Sequence, residues 1–278
     1  MNKYRRKQQQ IYKKQQKEIE KIYKDISNKI DKKLETLTEM SLIELQQLKK
    51  EIQKDIKGSN KKILKVVESS IEISIENTAK EHNSFYKNID KKYNTEFYKN
   101  NKVDTEAIKT IVLKTVTTGD IYKDKLSLSK RIWGSNKKVL ADIDRIINEG
   151  IKEKKHPLTI AKELEKYVNP SAMKDHNWKK MYPNCNIKVD YNAQRLARTS
   201  LTHAHQVATA ESVKRNPLLD RVQYNSSHSS RTCPTCSDRD GQVYKADDFP
   251  LDHPNGNCYM TVYIPDDIDD IIKEYMKK

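Results

Sequence analysis

Apolar residues recur at spacings of three and four along the first hundred or so positions of this chain, and only near the C-terminus does the pattern shorten toward alternation. From Glu18 onward, Ile19, Ile22, Ile26, Ile30 and Leu34 form one narrow stripe, which predicts an amphipathic helix in need of a partner. Ser41-Leu42-Ile43-Glu44 has the form of a capping box, and Leu45, Leu48, Ile52 and Ile56 continue one face as far as Gly58, so a second helix is expected there. A third is expected from about Lys61 to Lys99 on Ile63, Val67, Ile71, Ile75, Phe85 and Tyr86, broken near Asn83-Ser84, and a fourth from Asp104 or Thr105. Together they predict an elongated region, residues 1–118, with a scaffolding or docking role.

Around Gly119 the character changes. Leu126-Ser127-Leu128-Ser129-Lys130-Arg131-Ile132-Trp133 opens a new segment, in which Trp133, with apolar neighbours, is expected in the core. Val139, Leu140, Ile143, Ile146 and Ile147 predict a helix ending at Gly150, and Pro157 opens another. Residues 169–190 hold two prolines and many Asn and Lys, and read as a long loop. Residues 191–210 predict a helix whose Ala193, Ala197, Ala204 and Ala208 allow close backbone approach. On it His203 and His205 point apart, so no shared metal is expected, whereas Arg195 and Arg198 share a face. These two arginines can clamp a carboxylate or phosphate or can form structural ion pairs; both readings stand. Gln242-Val243-Tyr244 and Tyr259 to Ile264 predict two short strands that pair as a knuckle. The fold class expected is mainly α, with a small α+β domain at residues 119–265 and a charged tail at 266–278.

Composition sharpens this picture. Of 278 residues, 33% are charged and 35% hydrophobic, a balance that favours solvated helices over a compact sheet protein. Lys and Arg number 54 against 39 acidic residues, leaving a net +15 that suits polyanionic partners such as DNA, RNA or an acidic protein surface. The charge is densest at the start, where Lys3, Arg5, Arg6, Lys7, Lys13, Lys14 and Lys17 occur among glutamines with no acidic residue. This reads either as an arm for nucleic-acid phosphates or an acidic partner, or as a solvated helix start. No apolar run approaches the roughly 18 residues of a membrane span, and the N-terminus lacks the apolar core of a signal peptide, so a cytoplasmic setting is expected.

Chemistry concentrates between Arg231 and Ile264. Cys233, Cys236, His253 and Cys258 are spaced C-x2-C-x16-H-x4-C, two pairs of donors that can supply the two halves of a tetrahedron. A structural Zn2+ is expected, because so short a module holds too little apolar material to fold alone and four protein ligands leave no open position. Three other uses remain open: a disulfide, which needs an oxidising compartment; a redox pair, which needs a helix starting at the second cysteine; and free thiols, which need no histidine. Cys185, lying apart, reads as a spare thiol.

The order LSLSKRIW, an ARTS helix, a strand, RTCPTC, DGQVY and HPNGNC followed by a strand ending in proline resembles the minor head (head morphogenesis) proteins of tailed bacteriophages, the family of the Mu protein F. The resemblance covers about residues 125–265. Family members commonly close with HP-x-C-R-C, where this chain has Gly256 in place of the first cysteine and Cys258 at the second. What the resemblance implies is a non-enzymatic virion protein that associates with the portal protein, with capsid or scaffold proteins and with the procapsid interior, and that can contact packaged double-stranded DNA. It would assemble in the host cytoplasm and reside near the portal. The alternative is a zinc-containing DNA-binding or HNH-like nuclease protein, because cysteine pairs flanking Asp252-His253 also suit such a site. Against it, no histidine follows Cys258, and a His253 that binds zinc cannot also act as a base.

Overall fold

The computed structural model describes residues 3–230 and 232–277. Along the chain the elements are α1 (Lys3–Leu34), α2 (Leu42–Tyr93), α3 (Phe97–Asn101), α4 (Thr105–Thr118), α5 (Leu128–Lys152), α6 (Pro157–Val168), α7 (His176–Met181), α8 (Tyr191–Lys214), β1 (Arg221–Asn225), α9 (Pro234–Asp238), β2 (Val243–Lys245), β3 (Tyr259–Val262) and α10 (Ile268–Tyr275). The protein is therefore mainly helical with one small sheet near its C-terminus, as the hydrophobic pattern predicts. No described helix is long and apolar enough to cross a membrane.

Two compact units divide the chain, and each is assembled from separated stretches. One comprises Lys13–Val67 and Leu126–Ala197; the other comprises Met1–Tyr12, Glu68–Lys125 and Arg198–Lys278.

In the first unit most of the stripe on α1 is buried within the chain itself: Ile19, Ile26, Ile30 and Leu34 are covered, and Tyr23 takes the inward place beside Ile22, which stays half-buried. The helix also starts far earlier than Glu18, at Lys3, so the basic stretch is helical. Its inward positions there include Gln8 and Gln15, which an apolar-periodicity reading passes over. Ser41 and Glu44 form the expected reciprocal cap on α2, with Ser41 N donating to Glu44 Oε2 at 2.8 Å and Glu44 N donating to Ser41 Oγ at 3.2 Å.

The expected stops at Gly58 and at Asn83-Ser84 are absent, and α2 runs unbroken to Tyr93. A glycine inside a helix costs about 1 kcal/mol relative to alanine. That is small beside the burial of Ile52, Ile56, Ile63, Val67, Ile71 and Ile75 on the same face. Helix α5 likewise continues past Gly150, which is instead a point of close approach. A Cβ there would fall closer than 3.0 Å to the Ile160 side chain of α6.

Asn136 ties the helices of this unit together: it accepts from Tyr23 Oη at 2.6 Å and donates to Ile56 O at 2.9 Å. Trp133 is exposed, contrary to expectation, because the buried face of α5 is taken by Ile132, Val139, Ile143, Ile146 and Ile147. The expected loop at 169–190 contains α7, capped by Asp175, whose side chain accepts from Trp178 N at 3.0 Å. Trp178 is stacked on Tyr167 with ring centroids 6.2 Å apart.

In the second unit the three strands order as β2-β1-β3, all antiparallel, with Val222 opposite both Tyr244 and Val262. The two predicted strands thus do not pair with each other; β1 lies between them and supplies the hydrogen bonds of both. A cluster of Ala210, Val213, Val222, Tyr224, Cys236, Ala246, Cys258 and Met260 forms the core beneath the sheet. Asp104 caps α4 as the sequence suggests, accepting from Ala107 N at 3.0 Å, and Gly119 ends it in the left-handed region at φ 86°. The expected tail instead forms α10, whose Ile272 is buried and whose Tyr275 ring meets Phe97 at 5.6 Å.

Candidate metal centre

Three elements of the second unit bring the cysteines together. Pro234 at the first position of α9 fixes the turn after Cys233, and Ser237 N donates to Cys233 O at 3.0 Å to begin the helix. This places Cys233 at the N-cap and Cys236 within the same short turn. After the loop from Ala246, Asp252 and His253 enter a turn in which Gly256 N donates to His253 O at 3.0 Å and Asn255 takes φ 66°. Cys258 follows immediately before β3.

The donors form two overlapping groups. Cys233, Cys236 and His253 have their ligand atoms within 4.8 Å of one another, and so do Cys236, Asp252 and Cys258. The four residues expected from spacing are thereby linked through Cys236, and Asp252 joins them. Cys236 and Cys258 are buried, Cys233 is half-buried, and the His253 side chain is 49% exposed. All four cysteines are free thiols, with Cys185 apart in the other unit beside Asp142 and Arg145. The helix starts directly after Cys233, with Cys236 in its middle and not at its start.

Asp252 is the part of this site that sequence reasoning missed as a donor. Its carboxylate is fully covered. Oδ1 accepts from His253 N at 2.9 Å and Tyr224 Oη at 3.2 Å, and Oδ2 accepts from Cys258 N at 2.9 Å. Its own backbone is held by α8: Asp252 N donates to Gln206 Oε1 at 3.0 Å, and Asp252 O lies 2.8 Å from His203 Nε2. Thr199 and Thr202 complete the seat, with Asn255 N donating to Thr199 Oγ1 at 2.9 Å and Thr202 Oγ1 donating to Gly256 O at 3.3 Å. The polar, small-residue face of α8 is thus the bed on which the ligand loop rests.

The electrostatics divide the thiols. Burial pushes the Cys236 thiol up, whereas the backbone N–H and thiol of Cys236 donating to Cys233 pull that thiol down. His253 is raised, first by its contact with the Pro254 carbonyl. A cation bound here offsets the burial penalty by holding the sulfurs as thiolates. Soft sulfurs and an imidazole within one cluster fit a tetrahedral ion of the Zn2+ type, so these residues could hold a metal. A cleft of about 300 Å³ adjoins them, lined also by Arg198, Ser227, Ser229 and Thr232.

Residues 137–260 match the family model described as Phage Mu protein F like protein. That segment is similar to the Mu protein F family. It runs from within α5 into β3 and contains the whole cluster, while residues 1–136 lie outside the match. Arg231, the first residue of the RTCPTC motif, lies outside the described residues. No curated protein and no solved structure matches the chain.

The predicted basic contacts are dispersed around this Mu F-like segment. Lys3, Arg6, Lys7, Lys13, Lys14 and Lys17 are exposed on α1. Arg5 turns inward instead, donating to Asn257 O at 2.7 Å with its guanidinium 4.0 Å from the centroid of the Tyr259 ring. Arg198 lies over Tyr12 at 5.0 Å, and Arg195 is exposed. His203 and His205 have separate partners; His205 Nδ1 lies 3.0 Å from Thr78 Oγ1 and His203 Nε2 lies 2.8 Å from Asp252 O.

Proposed function

We propose that this protein is a non-enzymatic head-assembly component of a tailed phage, a minor capsid protein that works alongside the portal, capsid and scaffold proteins at the procapsid interior. The observation that carries this reading is the Mu F-like match over residues 137–260, which encloses all the clustered cysteines and His253. In this reading Cys233, Cys236, His253 and Cys258 hold one structural Zn2+, which fastens the ligand loop to α9 and the sheet. The donor chemistry supports it, since three sulfurs and an imidazole leave no vacant position on a four-coordinate ion.

The exposed lysines and Arg6 of α1, with the net charge of +15, support contact with the packaged double-stranded DNA. Arg5 is directed to Asn257 within its own unit and is better placed to hold the ligand loop than to meet DNA. The test is co-expression with the portal protein of the same phage, followed by affinity capture and mass spectrometry of purified heads. Recovery with the portal and inside heads is expected; absence from both would sink the assembly reading. Plasmid nicking in Mg2+ or Mn2+ that disappears in His253→Ala would instead favour the nuclease reading.

A further inference from the structure

We propose that Asp252 is the positioning residue of the ligand loop, and that position 256 is glycine because the Asp252 carboxylate occupies the space a side chain would need. This rests on the metal reading above and names the residues that give the site its shape.

Asp252 lies between two expected ligands and accepts from the backbone N–H of both, His253 through Oδ1 and Cys258 through Oδ2. One rigid carboxylate therefore sets where the His253 and Cys258 backbones sit relative to each other. The carboxylate cannot drift, because Tyr224 Oη from β1 also donates to it and Gln206 and His203 hold its backbone. With Oδ1 engaged by His253 N, Tyr224 Oη and the Cys236 thiol at 3.6 Å, Asp252 is assigned the outer-shell role that orients ligands in metal sites, acting through His253 and Cys258.

Gly256 supplies the independent observation. A Cβ added there would lie closer than 3.0 Å to all three carboxylate atoms of Asp252, and to nothing else among its nearest neighbours. Gly256 is not among the residues with positive φ, so the backbone alone would tolerate alanine. What excludes a side chain is the Asp252 carboxylate. A flexible side chain would step aside at little cost; this one is tied by four donors, His253 N, Cys258 N, Tyr224 Oη and the Cys236 thiol, and cannot do so without releasing the two backbone N–H groups it organises.

The test uses the full chain, Co2+ titrated as a spectroscopic probe and Zn2+ affinity by competition, with far-UV circular dichroism for the fold. Asp252→Ala should weaken Zn2+ binding by about 10- to 100-fold and displace the Co2+ ligand-field bands, although no ligand is removed. Asp252→Asn, which keeps one acceptor oxygen, should fall between. Gly256→Ala should weaken binding by a similar factor in the native background, yet by less than about threefold once Asp252 is alanine, because the clash is then gone. Should Gly256→Ala alone fail to fold, the double variant should still fold and bind like Asp252→Ala. Native affinity in Gly256→Ala, or a penalty undiminished in the Asp252→Ala background, would overturn the inference while leaving the metal reading intact. A wild type that takes up neither ion would overturn both.

Discussion

The two compact units bury different chemistry. In the unit of Lys13–Val67 and Leu126–Ala197 the deepest positions are chiefly aliphatic: Ile19, Leu45, Ile56, Ile63, Val139, Ile143, Ile146, Ile147 and Leu164 are all at most 1% exposed. In the unit that carries the cysteines, Ser74, Thr78, His82, Ser200, His203, His205, Gln206, Ser212 and Asp252 are buried as well. The first is specified mainly by filling volume, which tolerates exchange of one apolar residue for another of similar size, with a few polar ties such as Asn136 and Asp142. The second is specified by donors and acceptors, each of which has to find its partner.

The sharpest way to separate them is to remove a sulfur. Cys236→Ser or Cys258→Ser should abolish the uptake of about one Zn2+ per chain measured by elemental analysis. It should also loosen the unit of the sheet while leaving amide-exchange protection of α5 and α6 unchanged. Equal loss of protection in both units would break the comparison. Next in size, Ile143→Ala should lower unfolding stability by about 2–5 kcal/mol, the range for truncating a fully buried aliphatic side chain, with metal content unaltered.

Acid should act on the polar unit. Burial lowers His82 to about 4 and His205 to about 3, the latter helped by Arg5 and His82 nearby, so both are neutral in the fold. Between pH 6.5 and those values only the unfolded chain takes up the proton. The stability they contribute is therefore fully present above about pH 6.5 and is lost as pH falls toward 4 and then 3. Denaturant titrations across this window should show a slope that His82→Leu reduces; an unchanged slope would remove His82 from the account. The smallest effect expected is at Gly58, where no atom lies within 4 Å of an added Cβ. Gly58→Ala should raise stability by up to about 1 kcal/mol, read as a shift in denaturant midpoint.

The same contrast explains what was legible in the sequence. The capping box at Ser41, the start of α4 beside Asp104 and the stripes from Ile19 to Leu34 and Leu45 to Ile75 were readable because caps and aliphatic burial leave local patterns. Gly58 and Gly150 were misread as stops, since a glycine letter does not distinguish a cap from a tolerated gap or a close approach. The start of α1 was hidden because Gln8 and Gln15 share its inward face with Ile11 and Tyr12 and thin out the hydrophobic signal. Helix α7 was hidden because its one buried side chain, Trp178, makes no period. At the site, the cysteines and His253 were found by spacing, whereas Asp252 was not found as an organiser. Its partners, Gln206, Tyr224 and the N–H of Cys258, are scattered over the sequence and meet only in the fold. The one clue was Gly256, one of two positions, with Asn257, at which this chain departs from the HP-x-C-R-C ending.

Interleaving of the units carries a consequence for synthesis. Every residue of Lys13–Val67 and Leu126–Ala197 has left the ribosome before Arg198–Lys278 is finished, so the aliphatic unit can close while translation continues. Met1–Tyr12, made first, belongs with the residues made last. The basic turns of α1 therefore wait through most of translation, roughly tens of seconds at bacterial-scale elongation rates, before Asn257 exists for Arg5 to hold. Nascent chains long enough to clear Ala197 from the exit tunnel but stopped before Asn257 should accordingly show protease protection of Lys13–Val67 and Leu126–Ala197 but not of Lys3 to Tyr12, and early protection of Lys3 to Tyr12 would contradict this order.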